Sequence, residues 1–314
     1  MFRVYFSLPE YWNNKILEAS ETAEFANASK YEGEVLFFED EENTAVVIVK
    51  KKFSNVFSRA QIFSNSTNEN FLIGIFENLR KKGVAYARVG NTMFGLEKEV
   101  KIDGADLIER HTFTLDLNQN LEDIWAKFDK KLRNSIRKAE KEKVIIQEIS
   151  DEKEIREYYK IALETEENIK NKKGRKTFSL QRYDFFRELF ANKLGRFFIA
   201  KSGDKIIAGA LFLVLGEKSV YFHSCLSRKH VEKQAPSLIH WEAIKKFKKE
   251  SIKKYDLGGV TIGLDKNDSR FFVYEFKRKF NGELVKFYNV EIALSKFKKK
   301  IQDLAMKIIY GEGL

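Results

Sequence analysis

Two periods alternate along this chain, and they lay out a sequence of elements. VLFFED (35–40) and TAVVIVKKKF (44–53) are short apolar runs around the acidic turn Glu39 to Asn43, and they read as paired strands. Residues 68–90 put Leu72, Ile75, Phe76 and Leu79 at helical spacing, stop at Gly83 and resume as a strand. HTFTLDL (111–117) alternates with period two. Beyond it, Leu121, Ile124, Trp125, Phe128, Leu132, Ile136 and Ala139 share one stripe. That stripe predicts a single long helix, with Asn120 as N-cap and Asp123 three residues on. VIIQEI returns as a strand, and a helix over about 152–168 leads into the basic loop NIKNKKGRKTF. SLQRYDFFRELF is a further short helix, and RFFIAKSGDKIIAGALFLVL a hairpin turning at Ser202-Gly203-Asp204. SVYFHSCL is the next strand. Pro236 then suits the first turn of a helix whose Leu238, Trp241, Ile244 and Phe247 face inward. YDLGGV ends this run as a buried strand with a double glycine, a mark of close backbone approach or positive φ.

Composition narrows the class. The chain has 314 residues, 43% apolar and 33% charged, which fits a globular protein of about two domains. Two prolines leave room for long uninterrupted elements, and the one cysteine, Cys225, excludes an internal disulfide framework and fits a reducing compartment. The segment MFRVYFSLPEYW has no long apolar core, so no secretory leader is expected, and no apolar run is long enough to span a membrane. A net charge of +11 favours polyanionic partners: nucleic acid, nucleotide-linked substrates or an anionic membrane surface. A soluble Lys-rich surface gives the same number.

FKRKFNGE (276–283) holds the sharpest contrast in the chain. Phe276 and Phe280 bracket Lys277, Arg278 and Lys279. As a strand, Phe276, Arg278 and Phe280 share a face. As a helix, the two rings stack at i,i+4. In both cases Lys277 is held beside a buried anchor.

A hairpin followed by strand–helix–strand is the plan of a GNAT-type acyltransferase, and the segment after residue 114 follows it. The segments TLDL, KKLRNSIRKAEKEKV, RKTFSLQRYDFF, FIAKSGDKIIAGAL, APSLIHWEAIKKFKKESIKKYDLGG and FKRKFNGELV occur in the order and spacing of the Fem-type peptidyltransferases. The chain resembles that family over about 111–290 and, before that, only in general plan. It departs from the family's early glutamine-x3-tryptophan element, where Asn27-x3-Tyr31 stands here. The resemblance implies an α/β fold of two tandem GNAT-like acyltransferase domains, with mixed sheets flanked by helices. It implies domains of 1–113 plus 290–314, and of 114–289. It also implies the chemistry: transfer of an amino acid from aminoacyl-tRNA to the amine of a peptidoglycan-precursor stem peptide, UDP-linked or lipid-linked, in the cytoplasm, without cofactor, by a monomer.

The resemblance carries roles onto particular residues. Lys277 would stabilise the anionic ester oxygen, with Phe276 against the donor's aminoacyl or adenosine end. Arg182, with Tyr183 beside it and Arg175 in the loop before, would contact the precursor's pyrophosphate. Arg suits phosphate by its bidentate geometry. Tyr221 lines the same cleft or fills the core. Asp256 either positions the attacking amine or caps its loop. Lys130, Lys131, Arg133, Arg137 and Lys138 form a basic helix face open to tRNA phosphates or to solvent, and Lys245, Lys246, Lys248, Lys249, Lys253 and Lys254 form another. The last helix, with Phe297, Ile301, Leu304 and Ile308 on one side, either packs on the first domain or touches the inner membrane surface.

Absences weigh against rivals. The loop SRKHVEKQAPS lacks the glycines with which CoA-dependent enzymes of this plan bring backbone N–H groups to a pyrophosphate. The four histidines show no metal spacing with Cys225. An acyl-CoA-dependent N-acyltransferase and a non-catalytic RNA- or lipid-binding module remain the alternatives.

Overall fold

The structure, a computed structural model, describes residues 2–12, 16, 18–52, 57–91, 93–173, 180–301 and 304. It divides into two compact units, Met1–Arg110 with Lys286–Leu314, and His111–Val285.

The first unit opens with β1 (Arg3–Tyr5), α1 (Ala23–Ser29), β2 (Glu34–Glu39), β3 (Thr44–Lys52), β4 (Phe57–Phe63), α2 (Glu69–Lys81) and β5 (Tyr86–Val89). The expected strands around Glu39–Asn43 are β2 and β3, in register from Glu34 opposite Val49 to Glu39 opposite Thr44. Asn68 caps α2 by accepting from Phe71 N–H at 3.1 Å. Leu72, Ile75, Phe76 and Leu79 all face the core, because a 3.6-residue repeat stacks them on one side. β1 to β4 are antiparallel neighbours, and β5 lies parallel to β4 across the α2 crossover.

The second unit runs from β6 (Ala105–Asp116) through α3 (Leu121–Lys127), α4 (Lys130–Lys141), β7 (Ile145–Glu148), α5 (Glu152–Lys173) and α6 (Tyr183–Ala191). It continues with β8 (Gly195–Ser202), β9 (Lys205–Leu215), β10 (Lys218–Leu226), α7 (Ala235–Lys249), β11 (Lys254–Val260) and α8 (Ser269–Arg278), and β12 (Glu283–Ala293) follows. β7, β8, β9 and β10 are successive antiparallel neighbours, β11 is parallel to β10, and the His111–Asp116 part of β6 pairs antiparallel with β11. β12 returns to the first unit, where Val290–Ala293 pair antiparallel with Val89–Tyr86. Each unit therefore repeats one scheme: antiparallel strands, a parallel pair joined by a helix, and an antiparallel closing strand. The mixed α/β class expected from the sequence is what the structure has, and the β8–β9 hairpin followed by β10–α7–β11 is the GNAT-type plan.

The single long helix expected over 121–141 is two. Phe128 turns out of helical geometry with ψ 141°, and Asp129 starts α4 by accepting from Lys131 N–H at 2.7 Å. The Asp129 N–H donates to Lys279 C=O at 2.9 Å, a bond that a continuous helix would forbid. Arg133 folds back over the break and donates to the carbonyls of Ala126 at 2.8 Å and Phe128 at 2.5 Å, groups left open at the end of α3. The apolar stripe persists across the break, so periodicity alone did not register it.

Consecutive residues of β8 define the two faces of this sheet. Phe197 meets Tyr158 of α5 and Phe190 of α6, whereas Phe198 meets Phe247 of α7. Thus α5 and α6 cover one face, and α7, which packs against α4, covers the other. The core on the α7 side centres on fully buried Phe212, whose ring lies 5.4–5.8 Å from those of Phe198, Tyr221, His240, Phe247 and Tyr255. Phe212→Ala should lower stability by about 3–5 kcal/mol, and Phe212→Leu by clearly less, in urea unfolding followed by near-UV circular dichroism.

Candidate active site

β10 and β11 pair over three positions only, Lys218–Val220 with Lys254–Asp256. Beyond Val220 they separate. A bulge at Phe222 interrupts the β10–β9 register, and the β11–β6 register shifts between Asp256 and Gly259. Gly258 has φ +72°, a conformation open to glycine at no steric cost. The double glycine thus marks the turn where β11 leaves its partner.

Asp256 holds that turn. Its carboxylate accepts from Gly258 N–H at 2.7 Å and from the Thr112 hydroxyl of β6. Of the two roles read from sequence, capping the loop is the one its hydrogen bonds display. Burial raises its pKa, and the Thr112 and Gly258 bonds oppose that rise.

FKRKFNGE resolves as the end of a helix. Asp268 caps α8 by accepting from Arg270 N–H at 2.8 Å, and α8 carries Phe276 and Lys277 before the chain turns at Asn281. Phe276 and Phe280 meet edge to face at 5.5 Å. Lys277 is only 7% exposed, and its ammonium donates to Gly258 C=O at 3.0 Å and Gly259 C=O at 3.1 Å. It also sits 5.5 Å from the centre of the Tyr221 ring, a cation–π distance. Two of the three ammonium hydrogens are therefore committed to the β11 turn, and one remains. Burial pulls the Lys277 pKa down to about 8, with Asp256 pulling the other way.

Sequence reasoning missed the wall behind this lysine. His240 of α7 is 1% exposed, packs 4.4 Å from Tyr221 and 5.4 Å from Phe276, and shares a hydrogen bond with the Tyr255 hydroxyl through Nδ1. Burial and then the Lys277 charge lower its pKa to about 3, so the ring is neutral. The available signal was a lone histidine inside the apolar run SLIHW. Burial also raises Tyr221 to about 12, leaving its phenol protonated.

The remaining expected residues divide. Arg182 is exposed at the N-cap of α6, and the Tyr183 hydroxyl donates to Glu152 at 3.1 Å with Arg156 over its ring. Both belong to the α5–α6 face, across the sheet from Lys277, so the structure does not gather them into one cluster with it. Arg175 lies outside the described residues. On α4, Lys130, Lys131, Arg137 and Lys138 are exposed, Arg137 stacking on Trp125, while Arg133 is occupied by the α3 carbonyls. The second basic face is largely paired: Lys245 with Glu242, Lys246 with Glu148, Lys253 with Glu217, and Lys248 with the Leu117 carbonyl. Phe297 and Leu304 are exposed, and Ile308 lies outside the described residues. No helix among the described residues is long and apolar enough to cross a membrane.

The site is thus a buried cation at the parting of two parallel strands on a GNAT-type plan. Residues 192–308 match the FemAB family model, a span that holds Tyr221, His240, Asp256, Phe276 and Lys277 and leaves out α4 and Arg182. The chain is similar to a crystal structure of FemX, at TM-score 0.62 and 14% identity, covering 90% of this chain and 93% of that one. It is similar to the C-terminal domain of a putative lysylphosphatidylglycerol synthetase from Agrobacterium fabrum, at TM-score 0.58 and 12% identity, covering 95% and 98%. It also resembles the structure of L-PGS from Bacillus licheniformis, at TM-score 0.56 and 13% identity, covering 91% and 92%. At these identities the likeness is one of fold. No curated protein matches the sequence.

The lowered Lys277 pKa fixes a pH dependence. The unfolded lysine, near 10.5, binds its proton more tightly than the folded one, near 8. Its penalty on the folded state is full below pH 8 and is relieved as pH rises to about 10.5. Lys277→Met should therefore be at least as stable as the wild type at pH 7. The stability of the wild type relative to this variant should rise between about pH 8 and 10.5 in urea titrations across that range.

Proposed function

We propose that the protein is an aminoacyltransferase that moves an amino acid from aminoacyl-tRNA to the amine of a peptidoglycan-precursor stem peptide. The carrying observation is the Lys277 ammonium, fixed by two carbonyls at the strand parting.

In the reaction, the acceptor amine attacks the ester carbonyl and forms a C–N bond, placing negative charge on the carbonyl oxygen. Collapse breaks the bond to the ribose oxygen, which takes the proton the amine gives up. The free Lys277 N–H donates to the anionic oxygen, and one such fixed donor is worth about 10²–10³ in rate. Gly258 and Gly259 keep the ammonium from swinging away, and Asp256 fixes the turn that presents them. Phe276 bounds the donor's aminoacyl or adenosine end. Arg182 and Tyr183, on the other face of the sheet, serve the precursor's pyrophosphate, which lies many bonds from the attacking amine. Lys130, Lys131, Arg137 and Lys138 meet tRNA phosphates.

The segment before α7 supports an RNA rather than a CoA donor. Arg228–Lys233 form a 3₁₀ turn, and the helix begins after Gln234, with no glycine to admit a pyrophosphate against the backbone. A second reading keeps the donor and changes the acceptor to a lipid headgroup hydroxyl, favoured by the putative lysylphosphatidylglycerol synthetase among the similar structures.

A full set of charged tRNAs offered with muropeptide precursors and, separately, phosphatidylglycerol vesicles tests both by mass spectrometry of the products. Transfer should disappear after ribonuclease treatment of the donor and should fall above about pH 8. Lys277→Ala should lose about 10²–10³ in kcat while staying folded. Wild-type turnover in that variant removes Lys277 from the mechanism, and ribonuclease-resistant transfer removes the RNA donor.

A further inference from the structure

Phe272 and Phe276 of α8 and Phe280, two residues past its end, stand at four-residue steps, and their exposure falls along the row. Phe272 is 69% exposed, Phe276 is half-buried against His240, and Phe280 is fully buried. Val273, next on the helix, and Ile262, in the segment before it, are exposed as well. Among the described residues the only ring near Phe272 is that of Phe271, at 6.1 Å. The fold therefore makes little use of Phe272, although it stands one turn, about 6 Å along the axis, from the residue beside Lys277.

We propose that Phe272 is a stacking platform for an unpaired nucleobase at the 3′ end of the RNA donor, one step outward from the group at Phe276. This rests on the RNA-donor reading above. An aminoacyl ester held at Lys277 brings the terminal nucleotide with it, and the nucleotides before it must leave the site over exposed surface. The aromatic row supplies that surface in a line, and rings stack on any base without sequence preference. Cations suited to the backbone lie at both ends: exposed Lys266 before α8, and exposed Lys130 and Lys131 at the start of α4, while Arg270 is paired with Asp268. The Asp129–Lys279 hydrogen bond ties that end of α4 to the end of α8.

The test uses the full chain with a deacylated tRNA and the same tRNA trimmed of its three 3′-terminal nucleotides, at one fixed salt concentration. The wild type should prefer the intact tRNA by about 5- to 150-fold, the worth of stacking one base on an aromatic ring. Phe272→Ala should lose most of that preference, keeping only what the terminal nucleotide gains at Phe276. Phe272→Trp should keep the preference, with added fluorescence that only the intact tRNA quenches. A Phe272→Ala protein that retains the wild-type preference overturns the proposal. So does one that keeps the preference and loses binding only to phosphatidylglycerol vesicles, which assigns the face to a membrane. A wild type with no affinity for either tRNA overturns the donor reading together with this one. Ribonuclease-sensitive transfer that Phe272→Ala leaves unchanged overturns this one alone.

Discussion

An ammonium group stripped of most of its water must find acceptors in the protein, and Lys277 finds two in the consecutive carbonyls of Gly258 and Gly259. Those carbonyls are free to turn toward it because β11 has parted from β10 and Gly258 adopts positive φ. Much else in the second unit serves that arrangement. Asp256 ties the turn to β6, Phe280 and His240 pack on one another and on Phe276 beside the lysine, and the Tyr221 ring closes one side. The lysine is costly to bury, and the proposed role at an anionic ester oxygen gives that cost a use.

Much of the fold was legible because its signals are local. Alternation and a Gly-containing turn mark the β8–β9 hairpin, Asn120 caps where its side chain predicts, and Pro236 sits in the first turn of α7. The break at Phe128–Asp129 was not legible, because what ends α3 is a bond to Lys279, 150 positions later in the chain, and a guanidinium folding back from Arg133. Local pattern carries no information on either. The same limit explains Arg133, which reads in sequence as one more surface cation and in space is a cap for orphan carbonyls.

The site was half legible. The bracketed lysine and the double glycine stood out as local anomalies, and the structure brings the two together. His240 did not stand out, since one histidine in an apolar helix has no partner until α8 and β11 are placed around it. Arg182 and Tyr183 were singled out by the family resemblance, and strand parity in β8 puts the helices that carry them on the face of the sheet opposite α7. Order along a sequence constrains the elements, and parity within a strand decides which side each element serves.

The strand that completes the first unit's sheet is β12, and it is made after the whole second unit. On the ribosome, the opening hundred or so residues can collapse and pair β1 through β5, yet the outer edge of β5 stays open until residue 293 has emerged. An exposed strand edge is a template for wrong partners. About two hundred residues of synthesis therefore separate β5 from the strand that covers its edge, an interval in which that edge is open to wrong partners.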